Sequence, residues 1–181
     1  MGALVSISAV SQLSVNIWTV AVVGFTVAAI TTSAGALAAP ERDSTHGKWT
    51  VFVEEDGGKV CYTSTKPISQ SPDSLSWDPV MFVTRSKATS GRDEPSVRAG
   101  YNYQQGSSAT ISIGSDTFTL FTDVDGAWVL DAAQEKQLVA AMKAGATMIV
   151  KGTSERGNVT TDTYSLSGVT AGINRLKQLC P

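Results

Sequence analysis

The residue types that most often carry out chemistry are sparse in this sequence. It contains one histidine, His46, and two cysteines, Cys61 and Cys180. A nucleophilic triad needs a positioned base, usually histidine, and His46 lies in a short polar segment that we expect to be mobile and solvated. A structural zinc site needs four ligands, which these three side chains do not supply. The sequence therefore predicts neither a catalytic triad nor a metal site.

Motifs that bind nucleotides or activate a serine are also missing from the sequence. We find no G-x-G-x-x-G, no G-x-x-x-x-G-K-[ST], no H-E-x-x-H and no G-x-S-x-G. The segment DVDG at 123–126 resembles the start of a calcium loop, but the chain then turns apolar and has no glutamate at the twelfth position. A hairpin turn explains these residues better. We therefore predict no catalytic residues and no cofactor.

The two cysteines are expected to form a disulfide. Cys61 lies early in the charged part of the chain and Cys180 is the penultimate residue. Two cysteines are more often bonded than free when a domain is exported, which the beginning of the chain predicts below, and two buried free thiols are the alternative. Val169, Ile173, Leu176 and Cys180 follow one another at helical spacing, which places Cys180 on the apolar stripe of a C-terminal helix. That stripe points Cys180 toward the body of the domain.

Trp77 is the one aromatic residue in a segment where neither a strand nor a helix is expected. Three prolines and several serines mark residues 66–79 as a loop, and Pro79 restricts the residue before it to extended geometry. Trp77 on such a loop is a candidate binding anchor, because tryptophan offers a large apolar area with few rotatable bonds. The alternative is that its ring folds back and covers one end of the sheet.

The elements that would position these residues are mainly strands. Apolar and polar residues alternate over 48–53, and GG at 57–58 then provides a turn into a second extended run at 59–63. Further short runs of this kind, separated by glycine-containing turns, predict an antiparallel β-sandwich or β-barrel. Two short helices are predicted over 131–144 and 168–179. Asp131 is the expected N-cap of the first helix.

The beginning of the chain is different in composition. All of the charged residues lie from Glu41 onward, and an apolar run at 17–30 is followed by small residues that include the A-x-A-like Ala36-Leu37-Ala38. This pattern is typical of a secretory signal peptide and predicts cleavage after Ala38. The segment before the apolar run carries no positive charge, which leaves an uncleaved anchor as the alternative. We therefore expect a signal peptide over 1–38, a flexible mature N-terminus over 39–47, one β-rich domain over 48–181, and no stable membrane span after cleavage.

Several segments of the charged region resemble the invasion-associated locus B family of alphaproteobacterial exported proteins. They are WTVFV at 49–53, GGKVCY at 57–62, FTLFTD at 118–123, AW at 127–128, LVAAMKAG at 138–145, VKGTSERG at 150–157 and TDTYSL at 161–166. The resemblance covers most of 48–180. It implies a small periplasmic or surface-associated β-rich domain, linked in some pathogens to host-cell entry, with no known enzymatic activity or cofactor.

Two functions of different classes are consistent with these observations. The first is an exported, non-catalytic binding or accessory protein that contacts an envelope component or a host surface. The second is a small periplasmic enzyme or enzyme inhibitor whose site assembles from residues distant in sequence. The chain has 181 residues and a net charge of −2, so it lacks the basic excess that nucleic-acid binding requires. An exposed aromatic patch would favour binding, and convergent acids with perturbed pKa values would favour an enzyme.

Overall fold

The computed structural model describes residues 39–55 and 57–181. The expected signal peptide over 1–38, with its cleavage after Ala38, lies outside the described residues. Among the helices that the structure does describe, none is long and apolar enough to cross a membrane.

Within the described residues, eleven strands form one antiparallel sheet. They are β1 (Glu41–His46), β2 (Trp49–Glu54), β3 (Val60–Thr65), β4 (Ser69–Ser71), β5 (Val80–Ser86), β6 (Glu94–Arg98), β7 (Ser108–Ile113), β8 (Asp116–Asp123), β9 (Gly126–Trp128), β10 (Thr147–Thr153) and β11 (Val159–Ser165). Their order across the sheet is β1-β2-β3-β5-β6-β9-β8-β7-β10-β11-β4. The predicted antiparallel β fold is confirmed. The sheet is not closed, because β1 and β4 are its two edges, and the architecture is therefore sandwich-like rather than a barrel.

The strand residues that point inward form one hydrophobic core. In β2 the side chains of Trp49 and Val51 are fully buried, and the alternate residues of the same strand are half-exposed. The same alternation runs through β3, β5, β7 and β10, as the period of two in the sequence predicts. One cluster of buried residues connects all of these strands, so the sheet curves around a shared core.

Two helices complete this core, within one residue of their predicted bounds. They are α1 (Ala132–Ala144) and α2 (Val169–Leu179). Asp131 caps α1 as predicted, because its Oδ1 accepts hydrogen bonds of 2.9 Å from the backbone N–H groups of Ala133 and Gln134. The buried stripe of α2 includes Ile173 and Leu176, as the spacing of the apolar residues predicts.

Contacts between the start of β2 and the end of β11 bring distant parts of the sheet together. The backbone N–H of Lys48 donates to the carbonyl of Ser167 at 3.0 Å. The indole Nε1 of Trp49 donates to the carbonyl of Ser165, also at 3.0 Å. Because Trp49 is completely buried, this bond satisfies the one polar atom that its ring takes into the core.

The expectation of a flexible segment over 39–47 is wrong for residues 41–46, which form β1 and pair with β2. Asp43 is the extra residue in an irregularity of this pairing, between Arg42 and Ser44. Its carboxylate accepts two hydrogen bonds from Arg175 of α2, at 2.7 and 2.9 Å. His46 is consequently part of a strand, and its Nε2 lies 3.1 Å from the Ser44 hydroxyl.

Candidate functional site

Trp77 folds back onto the sheet and packs beside buried polar and aromatic side chains. We call Trp77, Tyr101, Tyr103 and Asp162 the Trp77 cluster. The Trp77 ring meets Tyr101 edge to face at 6.5 Å between centroids, and Tyr101 meets Tyr103 in the same way at 5.3 Å. The indole Nε1 donates to Oδ1 of Asp162 at 2.9 Å. Trp77 itself is half-buried. The loop around it also contains the short strand β4, which the sequence did not predict.

Asp162 is a buried carboxylate with two hydrogen-bond donors. It is 3% exposed, and its Oδ1 accepts from Gln70 at 3.2 Å as well as from Trp77. Gln70 of β4 lies directly opposite Asp162 of β11 in the strand register. Burial raises the pKa of Asp162 from 3.8 to about 6, although the two donors favour the ionised form. Asp162 therefore ties the β4 segment and the Trp77 loop to the end of the sheet.

Two glycines create the space that this cluster occupies. Gly100 has a φ of +75°, and a Cβ there would lie 2.7 Å from the backbone nitrogen of Asp78, so the Trp77 loop rests directly on the Gly100 backbone. A Cβ at Gly152 of β10 would lie 2.6 Å from the ring of Tyr103. The sequence gives no signal for either contact, because both depend on strands that meet only in the folded sheet.

The phenols of the cluster are neutral structural groups at physiological pH. Burial raises the pKa of Tyr101 and of Tyr103, and the Tyr101 hydroxyl shares a hydrogen bond of 2.5 Å with Thr160. Tyr164 is also fully buried, and its hydroxyl has no hydrogen-bond partner among the described residues. A carboxyl surrounded by neutral phenols can hold a proton, but it has no nucleophile beside it in this cluster.

A groove of about 430 Å³ opens along the outer side of the Trp77 cluster. Its lining residues are Leu75, Ser76, Trp77, Gly100, Tyr101, Asn102, Ser154, Glu155, Arg156, Asn158 and Thr160. Leu75 is 41% exposed on the same loop. Across residues 39–55 and 57–181, no group of three or more His, Cys, Asp or Glu side chains is placed to hold a metal ion.

The free energy of unfolding should depend on pH through Asp162. Its folded pKa is above the unfolded value, so the folded protein binds the extra proton between the two values. The stability that this group contributes is complete below pH 3.8, falls as the pH rises to about 6, and is constant above that. The free energies of unfolding of the wild type and of Asp162→Asn, measured with urea, should therefore differ by an amount that changes by up to about 3 kcal/mol between pH 4 and pH 7.

Asp116→Asn, at an exposed carboxylate that begins β8, is the matched control for removing one negative charge. A difference between the wild type and Asp162→Asn that stays constant from pH 4 to pH 7 would contradict this account of Asp162.

A second surface is formed by aromatic side chains on the outer face of the sheet. We call Phe52, Tyr62, Phe82, Trp128 and Phe121 the aromatic belt. Phe52 and Tyr62 are directly opposite each other and stack at 5.3 Å, and Tyr62 meets Phe82 edge to face at 5.8 Å. Trp128 and Phe121 are also directly opposite and stack at 5.6 Å.

The strand register connects these two aromatic groups into one line. Phe82 of β5 lies opposite Ser96 of β6, and Ser96 lies opposite Trp128 of β9. At the usual strand spacing, Phe82 and Trp128 are about 10 Å apart, with the small Ser96 side chain between them. Phe121 is 46% exposed and the other four side chains are half-buried. The belt therefore crosses six strands on the face that points away from the core.

The aromatic belt was not predicted from the sequence. The alternation in β2 indicates that Phe52 points outward, but the belt also needs the register of five further strands.

The structure also places the other residues that the sequence singles out. Cys61 and Cys180 form a disulfide with a Cα–Cα distance of 6.1 Å, so the prediction of this bond is confirmed. The DVDG segment forms the turn between β8 and β9, and Asp125 pairs with Arg98 at 2.8 Å.

The domain is an open antiparallel sheet around one core, and the disulfide bonds the end of its C-terminal helix to the sheet. This architecture defines a small β-sandwich-like domain. The model of a protein family described as "Invasion associated locus B (IalB) protein" matches residues 49–177, which is more than half of the chain. The chain belongs to this family, which is linked to invasion, and the resemblance predicted from the sequence is confirmed.

A solved structure supports the same fold. The crystal structure of invasion associated protein B from Bartonella henselae matches with a TM-score of 0.57 and 18% sequence identity, covering 78% of this chain and 98% of that one. No curated protein sequence matches the chain.

Proposed function

We propose that this is an exported, non-catalytic binding protein of the periplasm or cell surface, and that it contacts a protein of the envelope or of a host surface. Membership of a family associated with exported proteins supports the location. The Cys61–Cys180 disulfide supports it independently, because such bonds persist in oxidising compartments.

The aromatic belt is the observation that carries the binding role. Protein interfaces are distinguished by aromatic residues at their centre and by few charges there, with polar residues around them. The belt has this composition, since hydroxyl side chains such as Thr84 and Ser96 share its face and lie next to the rings in the register. Sheet strands hold the rings rigidly, so little side-chain entropy is lost when a partner covers them. We therefore propose that the partner is a protein.

The observation that favours an enzyme is the raised pKa of Asp162. This carboxylate lies at the N–H edge of the Trp77 ring, is 3% exposed, and accepts both of its hydrogen bonds on one oxygen from neighbouring protein side chains. General acid–base catalysis needs a carboxylate within hydrogen-bond reach of the substrate. Asp162 is therefore assigned a structural role, and its burial is the cause of its shifted pKa.

Two competing roles are open to Trp77, a binding contact and a cap on the sheet. Its ring is half-exposed and borders the groove beside exposed Leu75, which suits a binding anchor. Its hydrogen bond to Asp162 suits a cap on the sheet instead. Substitution of Trp77 separates the two roles, because only the cap contributes strongly to stability.

Site-specific photo-crosslinking tests the belt. A photoreactive phenylalanine analogue at position 82 should give a discrete protein adduct with envelope or host-surface fractions. The matched control carries the same analogue at Ile149, an outward-facing residue of β10 that is 37% exposed and outside the belt. We expect the adduct from position 82 and not from position 149, because only the former lies in the proposed contact.

Competition makes the result specific. Excess unlabelled wild type should abolish the adduct, whereas Tyr62→Thr/Phe82→Thr should need at least a tenfold higher concentration. Threonine retains strand propensity, and unchanged strand content by circular dichroism would show that the sheet is intact. Equal adducts at the two positions, or equal competition by the two proteins, would contradict the proposed contact.

A further inference from the structure

A second concave surface lies between α1, the end of α2 and the connection from β5 to β6. It encloses about 420 Å³. Its lining residues are Arg85, Arg92, Asp93, Ala132, Glu135, Lys136, Val139, Ala140, Lys143 and Lys177. We call this surface the basic cleft. It shares no lining residue with the Trp77 groove or the aromatic belt, and of its residues Glu135 also borders the surface beside Phe121 and Trp128.

The lining of the basic cleft carries more positive than negative charge. Five of its side chains are cationic, and two are acidic. The acids are already paired, because Asp93 contacts Arg85 at 3.0 Å and Lys177 at 3.6 Å, and Glu135 contacts Arg92 at 2.6 Å. The cleft therefore has an excess of three positive charges, although the whole chain has a net charge of −2.

Two lysines of α1 account for most of this excess. Lys136 and Lys143 have no carboxylate within 4.0 Å in the described part of the chain. They are seven residues apart, so they lie two helical turns from each other on nearly the same face. Burial and the nearby charge of Lys177 lower the pKa of Lys143, and the carboxylate of Asp93, which already pairs with Arg85 and Lys177, opposes this shift only in part. A concave surface concentrates the field of such unpaired charges.

The wall between these lysines is apolar. Val139 is 7% exposed and Ala140 follows it, so a ligand that reaches both lysines would also cover aliphatic side chains of α1. A ligand with a doubly charged group and an apolar part would match both features of the cleft.

We propose that the basic cleft is a binding site for a small organic dianion, such as an aryl or alkyl phosphate, held by Lys136 and Lys143 against Val139. The charged group of the ligand supplies the counter-ion that the two lysines lack. The apolar part covers the aliphatic wall of α1. No covalent step is involved, and the site is one of reversible binding.

Titration with phenyl phosphate, followed by amide chemical shifts, tests this proposal. The shifts should be confined to α1 and the connection from β5 to β6. Lys136→Gln/Lys143→Gln should raise the Kd at least tenfold. The matched control, Lys59→Gln/Lys151→Gln, removes the same charge from two exposed positions outside the cleft and should change the Kd less than twofold. Lys136→Gln alone, at an exposed helix position, should weaken binding even if the double variant is poorly folded.

Three outcomes would overturn the proposal. Equal weakening in the two double variants would show general attraction to positive charge. Shifts spread over the whole surface, or none up to a concentration of phenyl phosphate of about 20 mM, would show that the cleft is not a site. Inorganic phosphate binding as tightly as phenyl phosphate would exclude a contribution from the apolar wall.

Discussion

Reduction of the Cys61–Cys180 disulfide should lower the Tm by about 10 °C. The bond joins β3 to the residue that ends α2, across a sequence separation of 119. In the chain-entropy model so long a loop gives about 4–5 kcal/mol, and removal of a native bond from a small secreted domain costs about 2–5 kcal/mol. The bond also holds α2 over β2 and β3, so its loss affects packing as well as the unfolded state. Thermal unfolding with and without reductant measures the effect.

The Cys61→Ala/Cys180→Ala variant is the control for this prediction. It should melt at the lower temperature under both conditions, because it has no bond to reduce. In the native wild type, reduction should be slow and should accelerate in dilute urea, since Cys61 is fully buried and Cys180 is 7% exposed. Identical Tm values for the oxidised and reduced wild type would contradict the stabilising role of the bond.

Trp77→Ala should destabilise the domain by about 2–4 kcal/mol, because it removes a half-buried ring and one of the two donors to Asp162. The buried carboxylate would keep only Gln70 as a partner. Chemical unfolding at neutral pH measures the loss. The loss should be smaller at pH 4, where Asp162 is protonated in the folded protein and needs its donors less.

Trp77→Phe divides this loss into its two parts. A phenyl ring retains the contact with Tyr101 but has no N–H, so we expect a cost of about 1–2 kcal/mol. A Tm for Trp77→Ala that matches the wild type, together with loss of partner capture, would instead make Trp77 a binding anchor. The expected fall in stability would assign Trp77 to the cap on the sheet and not to a binding anchor.

The features that the sequence predicts correctly depend on local patterns. Asp131 caps α1 because a cap and its helix are neighbours in the chain. The apolar stripe of α2 is also a local pattern, and it orients Cys180 toward the core. The sequence has one other cysteine, Cys61, so the pairing follows once a bond is expected. The antiparallel fold likewise follows from the alternation within each strand and the turns between them.

The features that sequence reasoning missed depend on pairings between distant segments. Residues 41–46 are polar and show no strand pattern, and they become β1 through pairing with β2 and the ion pair between Asp43 and Arg175. The aromatic belt exists because β6 and β9 are neighbours in the sheet, although about 30 residues separate them in the chain. Trp77 lies in the loop that the sequence predicts, and its hydrogen-bond partner Asp162 is 85 residues further along the chain. No local pattern predicts this contact.

In the part of the chain that the structure describes, β1 and β4 are the edges of the sheet, and the features of these two strands should limit self-aggregation. An exposed edge strand can add a strand from another molecule and so start a fibril. Here β1 begins with three charged residues and has an irregular register at Asp43, and β4 has only three residues and is followed by Pro72. Charge, irregularity and proline all oppose the continuous backbone pairing that fibril growth requires. A domain with these edges can therefore leave its aromatic face uncovered and still resist fibril growth when it is concentrated.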